Sequence, residues 1–184
     1  EELTERLRLL KKAQAVALQS QINPHFLNNT LETINWTAIE LLGRKNEISE
    51  MTGGLSKMLR MTLENSDTVV AIREEVQHCK YYLEIQQKRY EDKFEVIWKI
   101  PEDVQEYKII RIILQPLVEN AIYHGIKPLS EKGILVISGS MYDEEVELSV
   151  SDTGLGMTEE ELKNLRHNMD NDMIKESKHI GVPN

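Results

Sequence analysis

Near residue 93 the apolar residues of this chain stop recurring at helical spacing and begin to alternate, so one polypeptide must build two kinds of structure. Upstream the repeat is helical. One pattern runs from Glu1 to about Gly43. Leu3, Leu7 and Leu10 form a coiled-coil seam, continued by Gln14, Ala17 and Gln21. Pro24 interrupts it by removing a backbone donor, and Gly43 is a plausible stop. A second helix is expected from Ser49 to Glu64, with Met51, Leu55, Met58, Leu59 and Met61 or Thr62 inward. A third is expected from Ile72 to Tyr90, with Val76, Cys79, Leu83 and Gln86 on one stripe.

Downstream the elements mix. Phe94 to Ile100 alternates as a strand that Pro101 closes. Residues 106–126 read as a helix that buries Ile110, Ile113, Leu114, Leu117 and Ala121. Gly133 opens the apolar strand Ile134–Ile137, and Asp143-Glu144 turns the chain. Glu145 to Asp152 alternates strictly, with Val146, Leu148 and Val150 inward. Within the polar stretch Met157 to His179, Thr158 and Glu161 form a capping box for a short helix. The expected class is α+β, with a helical region over residues 1–91 and a mixed domain over 92–184.

Composition narrows the partners. The net charge is −9 and no basic cluster interrupts it, which argues against nucleic acid. The one cysteine, Cys79, falls within a helical pattern and is expected to be a buried, unreactive thiol. No apolar run approaches the ~18 residues of a membrane span. Any membrane segment of a parent receptor is therefore expected to lie outside these residues.

Three stretches carry chemistry. In Gln21 to Asn29, His25 follows Pro24 directly. A neutral imidazole is a nucleophile near neutral pH and can hold a phosphoryl group covalently. Alone, it reads as an ordinary polar helix residue that merely hydrogen-bonds. In Leu114 to Gly125, Asn120 shares a helix face with Pro116, Tyr123 and His124. An amide oxygen facing a cleft suits Mg²⁺, and Glu119 beside it could orient or deprotonate a neighbouring group. Alone, this is also an amphipathic core helix. In Ser151 to Met157, a strand ends in Asp152, whose carboxylate could accept from an exocyclic amine such as that of adenine. Gly154 and Gly156 follow and allow close backbone approach.

The order of these stretches is informative. Asn23-Pro24-His25-Phe26-Leu27-x-Asn29 resembles the histidine box of LytS-type sensor histidine kinases. Leu114-Gln115-Pro116-Leu117-Val118-Glu119-Asn120-Ala121 resembles their asparagine box. Asp152-x-Gly154-x-Gly156-Met157 is similar to the first glycine box of the GHKL ATPase superfamily, and Ile180-Gly181-Val182-x-Asn184 to the start of the second. The resemblance implies a helical dimerisation and phosphotransfer region joined to a Bergerat-type α/β sandwich that binds ATP. It makes His25 the phospho-acceptor, Asn120 the Mg²⁺ ligand and Glu119 its neighbouring acid. Asp152 becomes the adenine contact, and Tyr123, His124, Gly154, Gly156 and Gly181 frame the nucleotide. The implied partners are a response-regulator receiver domain and a second copy of the chain. The implied setting is the cytoplasmic portion of a bacterial membrane protein.

The chain also departs from the pattern. Phe26 follows the histidine where many histidine kinases carry an acid, and Tyr123 stands where the family often has a lysine. Asn28 is expected to leave its helix face wet. Two other functions fit the motifs: a nucleotide-binding signalling scaffold without phosphotransfer, and a different GHKL ATPase. The family's ATP domain continues past its second glycine box. A polypeptide ending at Asn184 is therefore expected to bind ATP weakly, because its sheet would leave apolar area and an edge uncovered. Isothermal titration of the 184-residue chain checks this, and tight binding would refute it.

Overall fold

The computed structural model describes residues 24–64, 68–143 and 145–166. The seam from Leu3 to Gln21 lies outside these residues. The described helices begin with α1, Pro24–Leu42. It ends where Gly43 takes a left-handed φ of 68°, a conformation that costs glycine little. Helix α2, Glu47–Glu64, starts two residues earlier than the sequence suggested. The reason is a reciprocal cap: Ser49 N–H donates to Asn46 Oδ1 (3.1 Å) and Asn46 N–H to Ser49 Oγ (2.9 Å). The Asn46 amide also donates to the Ala38 carbonyl at 3.0 Å, closing the hairpin back on α1.

Helix α3, Ile72–Arg89, has two neighbours. It packs against α2 and also supplies Ile72, Val76, Cys79 and Leu83 to the main core. That core is completed by Phe94, Val104, Leu114, Val118, Ala121, Ile122, Ile126, Leu135 and Ile137. Cys79 is buried, and burial pushes its thiol up to about 12, so it stays protonated and inert.

The main sheet has three strands in the order β2-β4-β5: Phe94–Lys99, Gly133–Tyr142 and Glu145–Asp152. Strands β2 and β4 are parallel, pairing Phe94 with Gly133 and Trp98 with Ile137. Strands β4 and β5 are antiparallel, pairing Leu135 with Asp152. A separate ribbon joins β1, Val69–Ala71, to β3, Lys108–Ile110. Strand β1 was not anticipated.

The helical reading of residues 106–126 is corrected over its first part. A single turn, α4 (Glu102–Gln105), precedes β3, and the long helix begins only at Leu114. That helix comprises α5, Leu114–Asn120, and a π-helical continuation, Ala121–Ile126. Apolar residues of a strand, a turn and a helix here mimic one helical stripe. The later start rotates the buried face. Leu114 and Ala121 are buried as expected, while Ile110, Ile113 and Leu117 are exposed and Val118, Ile122 and Ile126 are buried. The Thr158 capping box forms: Glu161 N–H donates to Thr158 Oγ1 (3.3 Å) and Thr158 N–H to the Glu161 carboxylate (2.8 Å), heading a helix over residues 159–166. Among the described residues no helix is long and apolar enough to cross a membrane.

A part-buried polar contact joins α2 to α3. Thr62 Oγ1 lies 2.9 Å from His78 Nε2, and His78 is buried. Burial lowers the His78 pKa from its ordinary 6.5; Glu75 opposes the shift and Arg111 adds to it. The folded state therefore favours neutral His78. Its contribution to stability is complete above the unfolded pKa and is lost as pH falls through the lower, folded one. The melting temperature is expected to decline as pH drops below about 6.5, before most carboxylates protonate near about 4.5. His78→Gln should flatten that limb of a thermal-melt pH series, and an unchanged limb would refute the assignment.

Candidate functional site

The site is built on α5 and its π-helical continuation. The start of α5 is fixed from α3. Buried Glu75 accepts the backbone N–H of Ile112 (2.7 Å), Ile113 (3.0 Å) and Leu114 (3.4 Å). Ile112 sits at φ 58°, an unusual conformation for a β-branched residue. Beyond Asn120 the helix widens, with Lys127 N–H donating to the Ile122 carbonyl five residues back (2.8 Å). Such π-turns often mark functional positions.

One face of this helix is core. The other presents Glu119, Asn120, Tyr123 and His124 to an open cleft of about 270 Å³. Its opposite wall is α3, through Tyr82, Gln86, Arg89 and Tyr90. Gln115, one turn earlier, donates to Glu119 Oε1 at 2.7 Å and fixes that carboxylate at the cleft. The Tyr123 and His124 rings meet edge to face with centroids 5.1 Å apart. The Lys127 ammonium lies 4.3 Å from the Tyr123 ring centroid. Positive charge thus reaches the cleft wall through Arg89, while Lys127 lies over the Tyr123 ring, which itself brings no charge. Burial, then the negative field of Glu119, pushes the Tyr82 phenol up to about 12, so it remains a hydrogen-bond donor.

Asp152 ends β5, and its Oδ1 accepts the Gly154 N–H at 2.8 Å. This turn docks on the π-helix: Leu155 N–H donates to the Gly125 carbonyl at 3.2 Å. The contact requires two glycines. A β-carbon at Gly125 would overlap the Asp152 carboxylate, and one at Gly154 would overlap the backbone of Gly125. Gly156 follows at φ 68°. Gly125 was not singled out from sequence; its signal was a glycine inside a helical pattern. Gly181 lies outside the described residues.

His25 stands apart from this cleft, exposed in the first turn of α1. The Asn29 amide lies 3.1 Å from its Nδ1, one turn on. Asn28 does not leave a wet face: it is buried, 3.5 Å from Ser56 Oγ on α2. It therefore belongs to the hairpin interface. The structure thus gathers Glu119, Asn120, Tyr123 and His124 at one cleft, seats the Asp152 turn on the same helix at Gly125 but not among the cleft's lining residues, and places His25 on a separate helical hairpin.

The donor set at the cleft is oxygen-rich and incomplete by itself. Among the described residues no three or more His, Cys, Asp or Glu side chains converge as a metal cage. One amide and one carboxylate fit a cation that keeps waters and shares phosphate oxygens, as Mg²⁺ does. Gly125→Ala is expected to force the Asp152 turn off the helix and to cost about 1–3 kcal/mol by overpacking. Urea denaturation checks this, and an unchanged midpoint would show that the turn can yield.

Residues 13–94 match a family model described as histidine kinase. Among curated proteins, the chain is 36% identical over 157 residues to sensor histidine kinase YesM of Bacillus subtilis, covering 85% of this chain and 27% of YesM. It is 41% identical over 155 residues to sensor histidine kinase YpdA of Escherichia coli, covering 83% of this chain and 27% of YpdA. It is 30% identical over 176 residues to sensor protein kinase HptS of Staphylococcus aureus, covering 95% of this chain and 33% of HptS. The chain spans about a quarter to a third of the length of the curated relatives it matches. The family match and these relatives together support placing this α+β chain among the histidine kinases.

Proposed function

We propose that the chain is the catalytic core of a two-component sensor histidine kinase of the LytS type. It phosphorylates His25 from ATP and passes the phosphoryl group to an aspartate on a response-regulator receiver domain. The observation that carries this reading is the separation of two sites. An exposed imidazole stands on a helical hairpin, while Glu119 and Asn120 line a cleft on the helix that also seats the Asp152–Gly154 turn. A transferable group needs both an accessible nucleophile and a separate seat for its donor.

In this reading residues 92–184 form a Bergerat-type nucleotide domain and residues 1–91 the dimerising phosphotransfer region, whose last helix, α3, also packs into the core and forms one wall of the cleft of the nucleotide domain. Asp152 selects adenine through its exocyclic amine. Tyr123 and His124 contact the nucleotide, Gly154, Gly156 and Gly181 give its phosphates room, and Lys127 and Arg89 contribute charge. Mg²⁺, held by Asn120 with Glu119 beside it, would neutralise charge on the transferring phosphoryl group. A neutral ring nitrogen of His25 attacks the γ-phosphorus. The bond from that phosphorus to the bridging oxygen breaks, ADP leaves, and the ring proton passes to solvent. The resemblance of the histidine, asparagine and glycine boxes to LytS-type kinases also implies a membrane-anchored parent with this part on the cytoplasmic side and a homodimeric assembly.

The test uses the full-length protein with γ-labelled ATP and Mg²⁺. Acid-labile, base-stable label is expected on the wild type and is expected to vanish in His25→Gln. Asn120→Ala should keep His25 but lose labelling by about 100-fold or more, on the scale of removing a group that stabilises transferring charge. Label that persists in His25→Gln would overturn the assignment of the acceptor. Nucleotide binding without label in the wild type would favour a signalling scaffold.

A further inference from the structure

Glu75 has no place in the mechanism above, yet it is one of the most deeply buried charged side chains, 3% exposed. Burying a carboxylate is costly unless hydrogen bonds compensate it. Here the compensation is three successive backbone N–H groups leading into α5, the last of which, Leu114, is the first of the amides that a helix leaves without internal partners. The same turn holds Ile112 in the left-handed region, and such strain persists only where the surroundings over-determine it. Two unfavourable features therefore converge on one outcome, the residue at which α5 begins.

The start of the helix matters because of what lies along it. Asn120 is six residues beyond Leu114, about 9 Å along the axis. A slip of one residue at the start would turn Asn120 by about 100°, carrying it from the cleft toward the core. Ser, Thr, Asp or Asn at the cap would be the usual local solution. This helix has Ile113 there, with no side-chain cap of its own. The anchor comes instead from α3, which is also the opposite wall of the cleft. One helix thus sets both the wall and the phase of the residues facing it.

We propose that Glu75 is a positioning residue for the nucleotide site: its carboxylate fixes the phase of α5 and so aims Asn120 and Glu119 at the cation and phosphates. This rests on the reading of the cleft as a Mg²⁺–nucleotide site. Glu75→Gln is the informative change. It keeps size and one acceptor, but turns an amide N–H₂ toward backbone N–H groups and removes the charge that strengthens these bonds. Glu75→Asp keeps the charge and withdraws it by one methylene.

The test uses the full-length protein, with ADP as the probe by isothermal titration, in excess Mg²⁺ and again in EDTA. Glu75→Gln is expected to weaken Mg²⁺–ADP binding about tenfold and Mg²⁺-free binding less than twofold. Glu75→Asp should fall between it and the wild type. Ile137→Val, a core change that also lowers the melting temperature, should leave both affinities as they are. Amide hydrogen exchange at Ile112, Ile113 and Leu114 in Glu75→Gln should quicken at least tenfold, and this readout needs no nucleotide. Wild-type Mg²⁺–ADP affinity in Glu75→Gln, or equal losses with and without Mg²⁺, overturns the proposal and leaves the kinase reading standing. A wild type that binds no nucleotide sinks that reading and this one with it. If Glu75→Gln does not fold, Glu75→Asp carries the same comparison, and its wild-type affinity and exchange would overturn the proposal.

Discussion

The carboxylate of Glu75, closed over three backbone N–H groups 37 to 39 residues away in sequence, is the contact on which the rest of the site depends. A helix with an apolar cap residue has no side-chain cap of its own to fix its first turn. Once that turn is fixed, the phase of every side chain after it follows from helical geometry. Leu114, Val118, Ala121 and Ile122 then face the core, and Glu119, Asn120 and Tyr123 face the cleft. The π-helical widening after Asn120 brings Gly125 beneath the Asp152 turn. The π-helix and the turn after β5 thereby meet through backbone, where no side chain would fit.

Helix α3 links the two halves. Its apolar stripe is part of the same core as the sheet, while α2 packs on it from outside and Thr62 meets His78 there. His78 is one turn along α3 from Glu75. The hairpin that carries His25 therefore packs directly on the helix that anchors α5. The change of hydrophobic period near residue 93 marks where strands begin, while the packing runs continuously across it.

Much of this was legible from local pattern. The ends of α2, α3, β2 and β5 fell within a few residues of expectation, because their apolar spacing has one dominant period and their stops are glycine, proline or turn residues. The Thr158 capping box was legible for the same reason, since both partners lie within one turn. The stretch from 106 to 113 was not. A short strand and a left-handed turn there imitate helical spacing, and β3 exists only because Val69–Ala71 pairs with it. Asn28 misled in the same way: its polarity is satisfied by Ser56, 28 residues on.

The sequence by itself determined the kinds and order of the elements apart from β1, α4 and β3, and the chemical groups available: an imidazole after a proline, an amide beside a carboxylate, an aspartate before two glycines. These are properties of neighbours along the chain, set by backbone sterics and side-chain chemistry. Only the tertiary structure decided which groups share a site. It placed Tyr82 and Arg89 opposite Asn120, made Gly125 the seat of the Asp152 turn, and set His25 on a separate hairpin. The physical reason is that a helix's phase and a turn's docking depend on contacts between residues far apart in sequence. Those contacts exist only after the chain has closed on its core.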